Sequence, residues 1–329
     1  MIHPSPLLQI KQLHKHFPFK HTVLRAVDNV SLDIYKGEAL GLVGESGCGK
    51  STLGKLLLRL ESPTKGNICF NSYDLHKLNG EEKKTMCRKM QIIFQDPYSS
   101  LNPRMTVFDI LKEPFKIHTV LSPKELEREV ASLLSLVGLD PSFQKRFPHE
   151  LSGGQRQRVG IARALALRPE FLVCDEAVSA LDVSVQAQIV NLLKDLQSKL
   201  QLTYLFIAHD LGIIKYISSR VAVMYLGKLV ELAPTEDLYN APLHPYTQAL
   251  LSSIPIPDPR LERSRTKIFL KGEVPSPIGL LKGCVFSARC PYAESICHQI
   301  RPKWKEIKPG HFAACHKLSP GFSSLRIIQ

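Results

Sequence analysis

The sequence predicts an α/β fold, and three observations carry the prediction. Short apolar segments of strand type, such as 39–43 (ALGLV) and 171–174 (FLVC), alternate with longer segments whose apolar residues recur at helical spacing. A glycine-rich turn at 44–49 joins the first of these strands to a helical segment. A second apolar strand ends in two carboxylates. This arrangement is typical of parallel sheets that bind ligands at the carboxyl ends of their strands.

Each element follows from its own pattern. After the strand at 39–43, leucines at helical spacing predict a helix over 50–60. Strands are predicted at 171–174 and 204–208, and a helix at 183–200. Between about 96 and 167 the pattern becomes mainly helical: Ser122 to Glu125 form a capping box with proline at the first helical position, and Gly138 is a stop signal. We interpret 96–167 as a helical subdomain inserted in a domain of residues 1–255.

Residues 256–329 are predicted to form a small C-terminal extension. Three prolines in 254–259 (IPIPDP) and a basic run after them indicate a linker. The eight cysteines are unevenly placed, and four crowd into this extension: Cys284, Cys290, Cys297 and Cys315. In a reducing compartment a late group of four thiols favours metal ligation over disulfides.

Composition excludes several classes of protein. With 44% hydrophobic and 22% charged residues, the 329-residue chain suggests neither disorder nor a fibrous repeat. No apolar run approaches the ~20 residues that span a bilayer. The first 17 residues hold no apolar core of signal-peptide length, so we expect a cytoplasmic protein. The net charge of +13 suits a polyanionic partner or an anionic membrane face, or serves solubility alone, and it does not choose among these.

The turn after the first strand fits the P-loop pattern, G-x-x-x-x-G-K-S. Its glycines let backbone N–H groups surround phosphates, and the following helix adds its positive N-terminal end. Lys50 is expected to neutralise phosphate charge and the Ser51 hydroxyl to ligate Mg²⁺. The residues expected to surround the nucleotide are Gly44, Glu45, Ser46, Gly47, Cys48, Gly49, Lys50, Ser51 and Thr52.

Three further residues stand at strand ends where the ligand of a parallel sheet is expected. Asp175 would hold Mg²⁺, and Glu176 would act as base or orienter for the attacking water. His209 follows the strand at 204–208 and is expected to contact the γ-phosphate.

A second anion cradle occurs at 151–155 (LSGGQ), where a Ser-Gly-Gly turn opens a helix. One nucleotide does not need two cradles on one subunit, so we expect this one to bind the γ-phosphate of ATP held by a partner. The residues of this cradle are Ser152, Gly153, Gly154 and Gln155.

The sequence resembles the nucleotide-binding domains of the ABC family, because six motifs occur in family order from the P-loop to 208–210 (AHD). The resemblance implies a head-to-tail dimer that sandwiches two ATP molecules. It also implies that Gln95 senses Mg²⁺ and the attacking water, that the loop of Gln95 contacts the membrane subunits, and that Asp182 bridges the dimer interface.

In the family, an aromatic residue upstream of the P-loop stacks on adenine. Phe17 is the first candidate for this role and Phe19 the second; an ordinary packing role for Phe17 remains open. Ala177 replaces the family's common proline, so a less rigid turn is expected.

Segments outside the motifs, such as 243–259 (LHPYTQALLSSIPIPDP), are similar to the ATPase subunits of bacterial oligopeptide and dipeptide importers, most of all the F-type subunit. This similarity implies a peripheral protein on the cytoplasmic face of the bacterial membrane. Its implied partners are a homologous D-type ATPase, two permeases and an extracytoplasmic solute-binding protein, with no nucleic acid. Importers of this group can hold a [4Fe-4S] cluster on the four cysteines of the extension; zinc and free thiols are the alternatives.

Three alternatives to peptide import stay open at this point. Nickel and other small-solute importers share much of the pattern. A non-transport ABC ATPase acting on nucleic acid would suit the positive charge, although such proteins usually carry two ATPase domains or dedicated insertions. A regulatory subunit without activity is disfavoured because Lys50, Glu176 and His209 are all present.

Overall fold

The structure is a computed structural model that describes residues 5–96, 100–255, 258, 260, 263, 267–270, 272–279 and 282–318. Its contacts divide the chain into two compact units. The helical unit comprises residues up to 8, 34–39 and 69–208. The P-loop unit comprises 9–33, 40–68 and the residues from 209 onward. Two of the predicted linker prolines, Pro257 and Pro259, lie outside the described residues, and the predicted boundary at 255 stays a prediction.

Strands and helices alternate along most of the chain. The strands are β1 (Leu8–Phe19), β2 (Thr22–Ile34), β3 (Ala39–Val43), β4 (Lys65–Phe70), β5 (Tyr73–Asp74), β6 (Met90–Ile93), β7 (Phe171–Asp175), β8 (Thr203–Ile207), β9 (Arg220–Tyr225), β10 (Lys228–Pro234), β11 (Lys305–Lys308) and β12 (His311–Ala313). The helices are α1 (Lys50–Leu57), α2 (Gly80–Lys89), α3 (Val107–His118), α4 (Pro123–Leu136), α5 (Gly153–Leu165), α6 (Val183–Leu200), α7 (Leu211–Ile217), α8 (Thr235–Asn240), α9 (Pro245–Ser252) and α10 (Ser295–Gln299). Short 3₁₀ turns lie at Pro141–Lys145, Pro148–Glu150 and His316–Leu318.

Parallel strands form the sheet of the helical unit. β6 pairs with β7, and β7 pairs with β8, with Phe171 opposite both Met90 and Thr203. Every residue of β8, and every residue of β7 except Asp175, is buried. Strands covered on both faces need continuous apolar sequence, which explains the patterns FLVC and TYLFI.

The stretch that the sequence predicted to be mainly helical contains α3, α4 and α5. Its limits as a subdomain stay a prediction. α5 contacts α3, α4 and α6. The predicted capping box is confirmed, since Ser122 N donates to Glu125 Oε2 at 2.8 Å and Ser122 Oγ accepts from Glu125 N at 3.4 Å. The predicted stop is also confirmed, because Gly138 follows the end of α4 with a φ of +71°.

The P-loop unit has a mixed sheet to which the C-terminal residues contribute two strands. β3 runs parallel to β9, which turns through Leu226 and Gly227 into antiparallel β10. β12 then pairs with β10, and β11 pairs with β12. In a second sheet β1 lies between β2 and β4. The unit that carries the P-loop therefore also contains the C-terminal tail, by which we mean residues 282–318.

One predicted helix is too long. α1 begins at Lys50 as predicted but ends at Leu57, whereas the leucine spacing extended it to Leu60. Arg59 takes a φ of +56°, which no right-handed helix accommodates, and Leu60 is 57% exposed. The spacing of Leu60 was therefore coincidental. β3, β7 and α6 lie where they were predicted.

Among the described residues, every helix is too short or too polar to cross a bilayer.

Candidate functional site

The P-loop is a tight turn that only glycine permits at its two ends. Gly44 has a φ of +152° and Gly49 a φ of +108°. A Cβ on Gly44 would lie 2.1 Å from the carbonyl oxygen of Met224, and one on Gly49 would lie 2.0 Å from that of Ala26. The loop is thus enclosed by the backbones of β9 and β2, which fixes its curvature.

Lys50 lies inside this loop. Its side chain is buried, with 5% of the residue exposed. Nζ donates to the carbonyl oxygens of Gly44 at 2.7 Å and Glu45 at 3.0 Å. No carboxylate pairs with it in the part of the chain that the structure describes. A buried cation without a counterion is costly, so the loop suits an anionic ligand.

The remaining P-loop residues fit the same ligand. Glu45 and Ser51 are half-buried, and Ser46 and Gly47 are exposed. Cys48 is buried, and burial raises the pKa of its thiol. Thr52 follows on the first turn of α1. That turn has no acidic residue, and its N-cap residue makes no side-chain cap, so its N–H groups suit phosphate oxygens.

Gln95 and Glu176 meet in the helical unit. Gln95 Nε2 donates to Glu176 Oε2 at 2.7 Å. Glu176 follows Asp175, the last residue of β7, and takes a φ of +48° while its N–H donates to the carbonyl of Ile207 at 2.9 Å. Such a backbone conformation is unfavourable for a non-glycine residue and is found where surrounding structure enforces it, often at functional sites. A carboxylate beside an amide suits the orientation of a water molecule.

Hydrogen bonds hold the turn after Glu176. The carbonyl of Ala177 accepts from Gln157 Nε2 at 2.6 Å. The carbonyl of Glu176 accepts from the N–H and the hydroxyl of Ser179, both at 3.0 Å. Ala177 itself is buried with 1% exposure. α5 therefore supports this turn through Gln157, and the expected looser turn at Ala177 stays a prediction.

The second predicted cradle is a helix start whose cap residue, Ser152, is exposed, while the next three residues are half-buried. Ser152 caps α5 by accepting from Gln155 N at 3.3 Å, and its own N–H donates to Gln155 Oε1 at 3.0 Å. Gly153 and Gly154 form the first turn, where a Cβ on Gly154 would lie 2.5 Å from Cγ1 of Val185. The structure thus confirms the helix start, and it adds a packing reason for the second glycine.

Four other predicted residues are exposed or half-buried. Asp182 is exposed and precedes α6 without capping it through its side chain. His209 is exposed between β8 and α7. Phe17 is half-buried with Lys15 Nζ 4.7 Å from its ring centroid, whereas Phe19 is 43% exposed. Their predicted contacts stay predictions.

Two residues that hold the P-loop escaped the sequence analysis. Tyr246 OH accepts from Glu45 N at 2.8 Å, and Arg289 Nη1 lies 2.7 Å from Glu45 Oε2. Tyr246 packs against Tyr225 and Phe286, with ring centroids 4.6 and 5.4 Å away. Tyr246 lies in the segment HPYT and Arg289 in the segment ARCP, both in the C-terminal part of the chain. Nothing local in the sequence links either of them to the P-loop.

A cluster around Asp28 resembles a metal site but is an ion-pair network. His14, His16 and Asp28 place possible ligand atoms within 4.8 Å of one another. Lys228 Nζ lies 2.9 Å from Asp28 Oδ2, and Arg301 Nη1 lies 3.6 Å from the same oxygen. Burial raises the pKa of Asp28, but the hydrogen bond and charge of Lys228, together with Arg301 and His14, outweigh burial and lower it. The cations already neutralise the carboxylate that a metal ion would need.

The four cysteines of the tail are within electrostatic reach of one another. Cys284 N donates to the carbonyl of Cys297 at 2.7 Å. Burial, with a contribution from neighbouring thiols, raises the pKa of Cys284 to about 11 and that of Cys315 to about 12. Among the described residues, no three thiol sulfurs lie within 4.8 Å of one another. A tetrahedral zinc site with bonds of ~2.3 Å would place its sulfurs about 4 Å apart. The choice among an iron-sulfur cluster, zinc and free thiols stays a prediction.

Comparison with known proteins decides the family. The family model "ABC transporter" matches residues 27–179, and "Oligopeptide/dipeptide transporter, C-terminal region" matches 230–297. In Bacillus subtilis, the putative oligopeptide transport ATP-binding protein YkfD is 57% identical over 94% of this chain and 95% of its own length. The oligopeptide transport ATP-binding protein AppF is 52% identical over 95% of this chain and 98% of its own. This chain belongs to the ABC transporter family.

Solved structures agree with this ABC ATPase in fold. A dimeric post-hydrolysis state of the ATP-binding cassette MJ0796 bound to ADP and Pi has a TM-score of 0.64 at 28% identity, and the match covers 69% of this chain and 98% of that one. CbiO1 from Clostridium perfringens, part of the ABC transporter complex cbiONQ, has a TM-score of 0.64 at 25% identity, with coverage of 72% and 92%. The predicted P-loop α/β fold is therefore confirmed.

Proposed function

We propose that this ABC ATPase binds ATP with Mg²⁺ and that its hydrolysis energises peptide uptake by an ABC importer. The observation that carries the transport function is similarity over nearly the whole chain to relatives named oligopeptide transport ATP-binding proteins. The observation that carries nucleotide binding is the buried ammonium of Lys50 inside the glycine-rich loop, where it donates to backbone carbonyl oxygens.

In this proposal each half of the site has its own task. Lys50 and the backbone of Gly44–Thr52 bind the polyphosphate, while Ser51 and Asp175 hold Mg²⁺, which offsets charge on the phosphates. Glu176 accepts a proton from the attacking water, and its contact with Gln95 orients the carboxylate. His209 contacts the γ-phosphate, and Phe17 stacks on adenine.

A second subunit completes the site. The turn at Ser152–Gly154, whose cap residue is exposed, binds the γ-phosphate held by a partner ATPase, and Asp182 lies at the same interface. The partner is a homologous D-type subunit. Two permeases, reached through the loop after Gln95, and an extracytoplasmic binding protein complete the importer at the cytoplasmic face of the membrane.

The four cysteines of the tail hold a [4Fe-4S] cluster in this proposal. Four thiols from one chain are the usual ligand set of such a cluster, and the four of the tail lie within electrostatic reach of one another. Iron and sulfide analysis of anaerobically purified protein tests it. About four of each per chain is expected, whereas protein without iron and without visible absorbance contradicts the cluster.

Transport is tested by purifying the chain from native membranes with its bound partners and reconstituting that complex in vesicles. We expect two permeases, a second ATPase, and ATP-driven uptake of labelled oligopeptide that Lys50→Ala abolishes. Uptake of Ni²⁺ in place of peptide would identify the nickel importer instead, and recovery with nucleic acid would contradict transport.

A further inference from the structure

Glu45 places a carboxylate in a loop built for anions. It is the second residue of the P-loop, and its side chain keeps 25% of its accessible surface. Its backbone also belongs to the cradle, because its carbonyl accepts from Lys50 Nζ at 3.0 Å and its N–H donates to Tyr246 OH at 2.8 Å. A free carboxylate at this position would repel the phosphates of a nucleotide.

Arg289 neutralises that carboxylate. One of its terminal nitrogens, Nη1, lies 3.0 Å from Glu45 Oε1 and 2.7 Å from Glu45 Oε2. The same nitrogen is 3.5 Å from the hydroxyl of Tyr225. Only 9% of the Arg289 side chain is exposed, so water screens this pair less than it would a surface ion pair.

The cysteine-bearing loop of the tail sets the position of Arg289. Arg289 N donates to the carbonyl of Phe286 at 3.0 Å, and Ser287 N donates to that of Cys284 at 3.1 Å. Phe286 is buried and packs edge-on against Tyr225, with ring centroids 5.3 Å apart. The guanidinium therefore approaches the P-loop from an ordered turn.

We propose that Arg289 is a positioning residue for nucleotide binding, which the tail supplies to the P-loop through Glu45. This inference rests on the proposed nucleotide-binding function. Arg289 removes the repulsion between Glu45 and the polyphosphate, and it fixes the loop segment whose carbonyl and N–H are held by Lys50 and Tyr246. Without Arg289 the carboxylate stays beside the ligand uncompensated.

The charge mechanism makes a prediction that a packing role does not. In the full-length chain, Arg289→Gln is expected to raise the dissociation constant of a fluorescent ATP analogue roughly tenfold. Adding Glu45→Gln removes the repelling carboxylate, so the double variant should bind more tightly than Arg289→Gln alone. Arg289→Lys should keep most of the affinity, because one nitrogen makes both contacts with Glu45.

Kinetics and salt supply a second readout. Arg289→Gln should raise KM for ATP while kcat stays within about twofold, since the pair acts on ground-state and transition-state binding alike. The defect should shrink as ionic strength rises. The matched control is Arg301→Gln. Arg301 is another arginine of the tail and pairs with the carboxylate of Asp28, so this variant should leave ATP affinity unchanged.

The outcomes separate this inference from the proposed function. If the unaltered chain fails to bind ATP, the proposed function itself is wrong. If the unaltered chain binds and Arg289→Gln binds equally well, Arg289 has no positioning role. If Arg289→Gln binds ATP weakly and adding Glu45→Gln restores no affinity, the charge mechanism is overturned. Equally weak binding by Arg289→Lys would lead to the same conclusion.

Discussion

At the scale of single residues, Glu176 combines a strained backbone with a defined neighbour. Its φ of +48° and the hydrogen bond from Gln95 at 2.7 Å are independent constraints on one carboxylate. A residue that only ended a strand would need neither. The side chain is thereby held in place before any ligand binds, which is what general-base catalysis requires of a proton acceptor.

Glu176→Gln should leave ATP binding intact and lower ATP turnover about 100-fold or more, because the amide cannot accept the proton of the attacking water. Steady-state hydrolysis and equilibrium binding of an ATP analogue measure the two effects. Glu170→Gln, at the opposite end of β7, is the control and should hydrolyse ATP as the unaltered chain does. Unchanged turnover in Glu176→Gln would remove Glu176 from this role.

His244 is a buried residue whose protonation opposes folding. Burial lowers its pKa to about 4, although nearby Glu231 partly counteracts this. Its Nδ1 accepts from Tyr246 N at 3.1 Å and caps α9, which requires an unprotonated nitrogen. Below pH 6.5 the unfolded chain binds a proton on His244 that the folded chain excludes.

The free energy of unfolding should therefore fall by about 3 kcal/mol from this residue as pH drops from 6.5 to 4. Urea unfolding of the full chain across that range measures the change. His244→Asn retains a capping acceptor but does not titrate, so its stability should depend less on pH. An equal pH dependence in both proteins would contradict the assignment.

At the scale of elements, α5 packs its N-terminal turn against α6. Gly154 is the point of closest approach, since a Cβ at this position would lie 2.5 Å from Val185 Cγ1, whereas a Cβ on Gly160 of the same helix meets nothing within 4 Å. Both glycines therefore lie in the same helix, but Gly154 is crowded by a neighbouring side chain and Gly160 has free space around it. One is required for packing, and the other only weakens the helix.

Alanine at the two positions should have opposite effects on stability. Gly154→Ala should lower the free energy of unfolding by about 1–3 kcal/mol through overpacking. Gly160→Ala should raise it by about 0.5–1 kcal/mol, the usual gain from alanine inside a helix. Chemical unfolding of both variants measures this, and equal changes in the same direction would refute the packing argument.

At the scale of the whole molecule, the C-terminal tail is part of the unit that carries the P-loop. β12 pairs with β10, and His311 Nε2 lies 2.7 Å from Glu231 Oε1 with both residues buried. Glu231 also accepts from the N–H groups of Leu243 and His244 at 2.7 and 2.9 Å. One buried carboxylate therefore joins the tail strand to the segment that positions Tyr246.

His311→Leu should lower the stability of the chain by roughly 1.5–3 kcal/mol, because it removes a buried hydrogen bond to a carboxylate. Loss of the tail's anchorage should also weaken ATP binding. Thermal unfolding and nucleotide titration measure the two effects. Lys84→Ala, which breaks an exposed contact with Glu81 on α2, is the control and should change neither. A stable His311→Leu protein would show that this pair does not anchor the tail.

The apolar periodicity of the sequence predicted a helix or strand correctly where burial in the fold produces that periodicity. β3 and α6 begin and end where their apolar periodicity predicted, because burial against neighbours produces that periodicity. Leu60 shows the limit: its spacing fitted a helix, but the chain had already turned at Arg59. A helix ends where the backbone leaves the helical conformation, and the spacing of leucines does not predict that position.

The sequence by itself determined the α/β fold, the P-loop with Lys50, the two carboxylates at the end of β7 and the helix start at Ser152. Each of these depends on residues that are neighbours along the chain, so spacing alone identifies them. Only the tertiary structure decided that Gln95 touches Glu176, 81 residues away, and that Arg289 pairs with Glu45, 244 residues away. Such contacts form when strands and turns come together, and the glycine-rich loop therefore depends on a tail whose residues carry no nucleotide-binding pattern of their own.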